Sequence, residues 1–185
     1  DAILKVATNN TRVALIDHIS SATGMLLPIQ RIVDELQARG IDVLVDGAHA
    51  PGQVALDLDA LGAAYYTGNC HKWMCTPKGS GLLHVRADRR EGIRPTTISH
   101  GANSSRAGRT RLQDEFDWPG TVDPTPWLCV PTAIEFFRNL LPGGWDEIRR
   151  RNHDLALVAR EMLSAALGID ASLPAEMIAN MAAII

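Results

Sequence analysis

Two short stretches of this sequence carry residues suited to covalent chemistry. The apolar run Val43-Leu44-Val45 ends in Asp46-Gly47-Ala48-His49-Ala50-Pro51-Gly52, and further along comes Thr67-Gly68-Asn69-Cys70-His71-Lys72-Trp73. A carboxylate at a strand end can hold a heterocyclic nitrogen protonated, and a lysine amine can form an imine with an aldehyde. That pair is what an enzyme using pyridoxal 5'-phosphate (PLP) needs.

Each of these residues also has a plain structural reading. Asp46 could cap the turn that follows it, and Gly47 and Gly52 suit a tight strand exit in either case. His49 could donate to a cofactor's phenolic oxygen or be a polar loop residue. Lys72 lies beside His71, Trp73 and Met74, a partly apolar setting that favours imine formation, or it is a solvated surface charge. Asn69, His71 and nearby amides could bind a phosphate dianion, or form a polar turn without a ligand. Cys70 and His71 are adjacent on an extended segment and point to opposite faces, so Cys70 reads as structural rather than nucleophilic. Pro77-Lys78-Gly79-Ser80-Gly81 lacks the upstream glycine of a nucleotide-binding phosphate loop.

Alternating strands and helices must position these groups. Val13–Ile16 reads as a buried strand. Pro28 opens a helix with Ile29, Ile32, Val33 and Leu36 at helical spacing, and Gly40 stops it. Val43–Val45 is the next strand, Leu56 to Leu61 a short helix, Ala63–Tyr66 a third strand and Gly81–Val85 a fourth. The order argues for crossover units on a mostly parallel sheet, with ligands outside the carboxyl ends of the strands. Asp46 and the His18 to Thr23 segment fall at those ends. Arg86 to Trp118 is polar and aperiodic, a mobile loop or one ordered by a neighbouring subunit. An amphipathic helix then carries Ala133, Ile134, Phe136, Phe137, Leu140 and Leu141 up to Pro142-Gly143-Gly144. A long helix runs from Trp145 to about Leu167, and Met177 to Ile185 reads as the first strand of a further unit.

The 185 residues are enough to bury a substantial core, and 46% hydrophobic with 21% charged residues is ordinary globular composition. A net charge of −3 gives no electrostatic case for nucleic acid or an anionic membrane as partner. The three cysteines, Cys70, Cys75 and Cys129, show neither a disulfide nor a zinc spacing, which points to reduced thiols and a cytoplasmic setting. No apolar stretch approaches the ~18 residues of a membrane span, and no leader is read in the sequence.

In their joint order, Val45–Gly52, Gly68–Trp73 and Pro77–Gly81 resemble the class V aminotransferase family of fold type I PLP-dependent enzymes. The nearest likeness is to the isopenicillin N epimerase-like branch, whose relatives include cysteine desulfurases and selenocysteine lyases. It extends through Asp17–Gly24 and Trp118–Asp123. The resemblance implies an α/β fold: residues 1–143 from the PLP-binding large domain, then 144–185 as connecting helix and first strand of a small domain. Lys72 would form the imine with the cofactor, Asp46 would pair with its pyridine nitrogen, and His49 stands where desulfurases carry glutamine. Asn69, where desulfurases usually have serine, and His71 would hold the phosphate. Ser21, where desulfurases tend to carry asparagine, would be a further cofactor contact. Thr121 would reach a phosphate in the other subunit's site, making a homodimer.

The implied reaction is at the Cα of an amino-acid substrate through an external aldimine, most like an isopenicillin N epimerase-type epimerase. A cysteine desulfurase, selenocysteine lyase or C–S lyase is the alternative, and a non-catalytic binding relative the second. The family's ring-stacking residue, its substrate-carboxylate arginine and the desulfurase loop cysteine are expected outside these 185 residues.

Overall fold

In the computed structural model, which describes residues 2–104, 106–170 and 173–184, four strands form one sheet. They are β1 (Val13–Asp17), β2 (Asp42–Gly47), β3 (Tyr65–Asn69) and β4 (Gly81–Val85), in the spatial order β1-β2-β3-β4. The helices are α1 (Ala2–Val6), α2 (Ile29–Gln37), α3 (Leu58–Leu61), α4 (Arg111–Phe116), α5 (Thr125–Leu128), α6 (Val130–Leu140) and α7 (Gly144–Leu167). Strands β1, β2 and β3 are parallel, and β4 returns antiparallel to β3. The mostly parallel α/β sheet with crossover helices is therefore the fold.

Helix α2 shows why the sheet closes as it does. Pro28 precedes its first residue, and Ile29, Ile32, Val33 and Leu36 are all buried. Their spacing makes one apolar stripe, which joins Ile19, Ile41, Val43, Val45 and Tyr66 in a single core. Each such side chain contributes about 1.5–3 kcal/mol on leaving water. Along β2, Val43, Val45 and Gly47 are buried while Asp42, Leu44 and Asp46 are only partly covered. The two-residue period of a strand thus sends Asp46 to the face opposite the α2 core.

Several elements depart from what periodicity predicts. Strand β1 is an edge strand, not a buried one, and Val13 and Leu15 are 55% and 66% exposed. Strand β3 begins two residues later than expected, where Tyr65 pairs with Leu44 and Val85, and runs on to Asn69 because Gly68 and Asn69 pair with Leu82 and Gly81. Ala63 and Ala64 are buried but lie outside it. The short helix α3 starts at Leu58, where Asp57 caps it through the Ala60 amide.

Residues 86–118 are built around ion pairs. Arg106 and Arg109 bind the buried Asp114, and Arg94 and Arg111 bind the buried Glu115. The helical stretch after Pro124 divides into α5 and α6. The expected strand from Met177 is instead one bridge between Ile178 and Met25, followed by irregular chain that packs Ala179 and Met181 on the core. Ile185 lies outside the described residues.

Two glycines separate backbone strain from crowding. Gly40 has φ +74° with nothing near its missing Cβ, whereas Gly52 has φ +91° and a Cβ there would lie 2.5 Å from the Trp73 carbonyl oxygen. Gly40→Ala should cost about 1 kcal/mol, and Gly52→Ala roughly 3 kcal/mol or more because a backbone clash adds to the strain. Urea unfolding of the two variants in the full-length protein checks the difference; equal losses would mean the Gly52–Trp73 contact is not tight.

Candidate active site

The register of the parallel strands sets Asp17 beside Asp46 and Asp46 beside Thr67. The carboxyl ends of three strands therefore open side by side, where α/β sheets bind ligands. Asp46 Oδ1 accepts a hydrogen bond from the Ala48 amide at 2.9 Å. This bond pins the carboxylate at the strand exit and leaves most of its acceptor capacity free.

The loop after Asp46 is a compact reverse turn. The Ala50 amide donates to the Gly47 carbonyl at 2.9 Å, and the Gln53 amide to the Ala50 carbonyl at 3.0 Å. Gly52 then lies against the backbone of Trp73, one residue beyond Lys72. That close approach brings the two motifs together: Lys72 Nζ lies 3.0 Å from His49 Nε2.

Burial lowers the pKa of His49, the Lys72 charge lowers it further, and Asp46 and Asp17 partly oppose both. The imidazole is thus neutral near pH 7. With the lysine amine donating, Nε2 accepts and the ring proton sits on Nδ1. His49 Nδ1 is itself buried with no hydrogen-bond partner among the described residues.

Lys72 opens a turn that closes on itself. The Ser80 carbonyl accepts from the Cys70 amide at 3.1 Å and from His71 Nδ1 at 2.8 Å. The Cys75 amide donates to the Lys72 carbonyl at 3.2 Å, with Cys75 in the left-handed region at φ +55°. The Thr76 and Ser80 hydroxyls hydrogen-bond to each other, and Ser80 Oγ donates to the Pro77 carbonyl at 3.0 Å. With Nδ1 donating inward, only Nε2 of His71 remains for another partner.

The structure brings Asp46, His49 and Lys72 together, with His71 adjoining. Asn69, at the end of β3, lines a cavity of about 830 Å³ with Gly68, Gly79, Gly81 and Trp127. Thr121 lines a separate space with Ile98, His100 and Trp118. Ser21 is exposed on a turn closed by the Gly24 amide on the Ser20 carbonyl. Among the described residues no hydrogen bond or ion pair joins Ser21 or Thr121 to Lys72.

Three further residues shape the site without standing out in the sequence. His18 donates its amide to the Asp46 carbonyl at 2.8 Å and holds Nδ1 2.9 Å from the Tyr66 hydroxyl. Tyr66 is fully buried, and a Cβ on Gly47 would lie 2.2 Å from its ring, so position 47 admits only glycine. Burial takes the His18 pKa to about 4, and burial with the nearby Asp46 charge raises that of Tyr66. Gln53 donates from Nε2 to the His49 carbonyl and accepts at Oε1 from the Asn180 amide, both at 2.9 Å. The available signal was a polar side chain at an inward position of an apolar strand, as at Tyr66.

A mostly parallel α/β sheet thus gathers an aspartate, an imidazole and a lysine at its carboxyl end. The aminotransferase class-V family model matches residues 1–184, and the chain belongs to that PLP-dependent family. It is 38% identical to the isopenicillin N epimerase of Amycolatopsis lactamdurans over 95% of this chain and 46% of that protein. Identity to an L-cysteine desulfhydrase of Arabidopsis thaliana is 35%, over 92% of this chain and 36% of that protein. In fold it superposes on a cysteine desulfurase from Thermococcus onnurineus NA1 with TM-score 0.69 and 17% identity, over 91% of this chain and 42% of that one. The chain thus spans less than half the length of these relatives.

Acid should test the buried histidine. The unfolded chain protonates His18 near pH 6.5, whereas the folded protein resists until about pH 4. Stability is therefore fully present above pH 6.5 and falls as pH drops toward 4, by up to roughly 3 kcal/mol from this group. His18→Asn should flatten that part of the slope in urea unfolding between pH 7 and 4; an unchanged slope would show that His18 is not neutral in the fold.

Proposed function

We propose that this protein is a PLP-dependent enzyme acting at the Cα of an amino acid, as an epimerase of the isopenicillin N epimerase type. The observation that carries the reading is the 3.0 Å contact between Lys72 and His49, one loop away from Asp46. The relative named isopenicillin N epimerase, at 38% identity, supports the choice of reaction.

The residues present fit the cofactor. His49 Nδ1 is a buried donor without an acceptor, a state that costs about 1–3 kcal/mol until an acceptor arrives. Asp46 is a carboxylate held by one backbone amide. Asp46 would pair with the ring nitrogen, His49 would donate from Nδ1 to the phenolic oxygen, and Lys72 would anchor the group through its amine. Asn69 and His71, the latter through Nε2, would hold the phosphate, with Ser21 a further contact. When bound, PLP supplies an electron sink for the charge left at Cα.

The chain's own residues then divide the work. The Lys72 amine takes the proton from Cα, and His49 Nε2 accepts from that amine and fixes its direction. Asp46 would pair with the ring nitrogen, and the Ala48 amide keeps its carboxylate in place. Delivery of a proton from solvent to the opposite face of Cα gives the epimer, and Lys72 passes the proton it took to solvent. We include in this proposal a homodimer in which Thr121 serves the neighbouring site, the large-domain assignment of residues 1–143 with 144–185 leading into a small domain, and a cytoplasmic location. The three free thiols fit a reducing compartment, and no helix among the described residues is long and apolar enough to cross a membrane.

A C–S lyase is the second reading, favoured by the 35% identity to an L-cysteine desulfhydrase. Turnover in deuterated water separates the two. An epimerase places deuterium at Cα with inversion and keeps the side chain, whereas a lyase releases sulfide and pyruvate from cysteine. Lys72→Ala should remove the cofactor's bound absorption band and lower turnover by roughly 1,000-fold or more. A full-length wild-type protein that shows no such band with PLP would overturn the proposal.

A further inference from the structure

Beneath Asp46 lies a polar pair that the proposed chemistry does not use. His18 is 7% exposed and Tyr66 fully buried, and their rings meet edge to face with centroids 6.1 Å apart. The hydroxyl and Nδ1 satisfy each other at 2.9 Å, across 48 residues of sequence. The pair is fastened to the site at two points. The His18 amide holds the Asp46 carbonyl, and the Tyr66 ring fills the space under Gly47. We propose that His18 and Tyr66 are positioning residues that hold the exit of β2, and with it the Asp46 carboxylate, where the ring nitrogen of the cofactor requires it. The inference rests on the PLP reading above.

Side chains alternate along β2 and β3, so the Tyr66 ring lies on the face of the sheet opposite the Asp46 carboxylate and acts on it through the backbone. The His18 amide is bonded to the Asp46 carbonyl and the Tyr66 ring fills the space beneath Gly47, so the two side chains brace the β2 exit that aims the carboxylate. The hydroxyl and Nδ1 lock the rings to each other, and loss of either partner frees both. On the other face Asp17 stands beside Asp46 on β1, and Lys72, from the turn after β3, is engaged with His49. Among the described residues the Ala48 amide is the hydrogen-bond partner of the carboxylate.

Cofactor binding measures this directly, with PLP and its 1-deaza analogue, in which a C–H replaces the ring nitrogen. In the full-length protein, Tyr66→Phe should weaken PLP binding by about 10-fold and leave the affinity for 1-deaza-PLP unchanged. His18→Asn, which places an amide atom where Nδ1 sits, should keep the wild-type preference for PLP. His18→Leu should lose that preference, and this variant decides the matter if Tyr66→Phe does not fold. Equal weakening of both compounds, or of neither, would overturn the positioning role. Failure of the wild type to bind PLP at all would instead overturn the proposed function, and this inference with it.

Discussion

Asp46 and Thr67 face each other across the β2–β3 ladder, and Asp17 and Asp46 across β1–β2. From this register the rest of the site follows. A one-residue slip would turn Asp46 into the core and Val45 out of it, since side chains alternate with period two. The slip is blocked from below, because α2 packs its four apolar residues on Val43 and Val45. It is blocked again where the Tyr66 ring occupies the space a side chain at position 47 would need. Burial of apolar surface thus fixes the position of a charge.

The second organising force is the separation of charged from neutral groups. His18, bonded to Asp46 through its backbone, and His49, on the loop that follows it, both have their pKa lowered chiefly by burial. One faces a phenol and the other an amine. Neither takes the carboxylate as an ion-pair partner, so negative charge at the strand ends stays available. The surface segment 86–118 follows the opposite rule. There each buried carboxylate, Asp114 and Glu115, meets two arginines, as burial of a charge requires.

Much of this arrangement was legible in the residues. Helix α2 could be read because its apolar spacing matches the helical period and Pro28 marks its start. Asp46, His49 and Lys72 could be read because strand ends in α/β sheets carry chemistry and their order resembles one family. The misses share a cause, which is that they depend on partners distant in sequence. Val13–Ile16 looks the same whether or not a layer covers its outer face. Gly68 and Asn69 look like a loop until the close approach of Gly81 to the Gly68 carbonyl makes them a strand. The polar run around Asp114 looks mobile until its arginines are placed. His18 and Tyr66 each looked unremarkable because neither has a local partner.

Gln53 has a mechanical consequence. Its amide holds the His49 carbonyl on one side and the Asn180 amide on the other, with Met181 Sδ also in contact. The His153 ring, on α7, fastens to the Ala179 carbonyl next door at 2.9 Å. The chain leaving α7 is therefore tied to the loop that carries His49 through one buried glutamine, and to the core through Ala179 and Met181. Loss of Gln53 would uncouple that loop from the C-terminal chain while leaving the core contact of the chain in place.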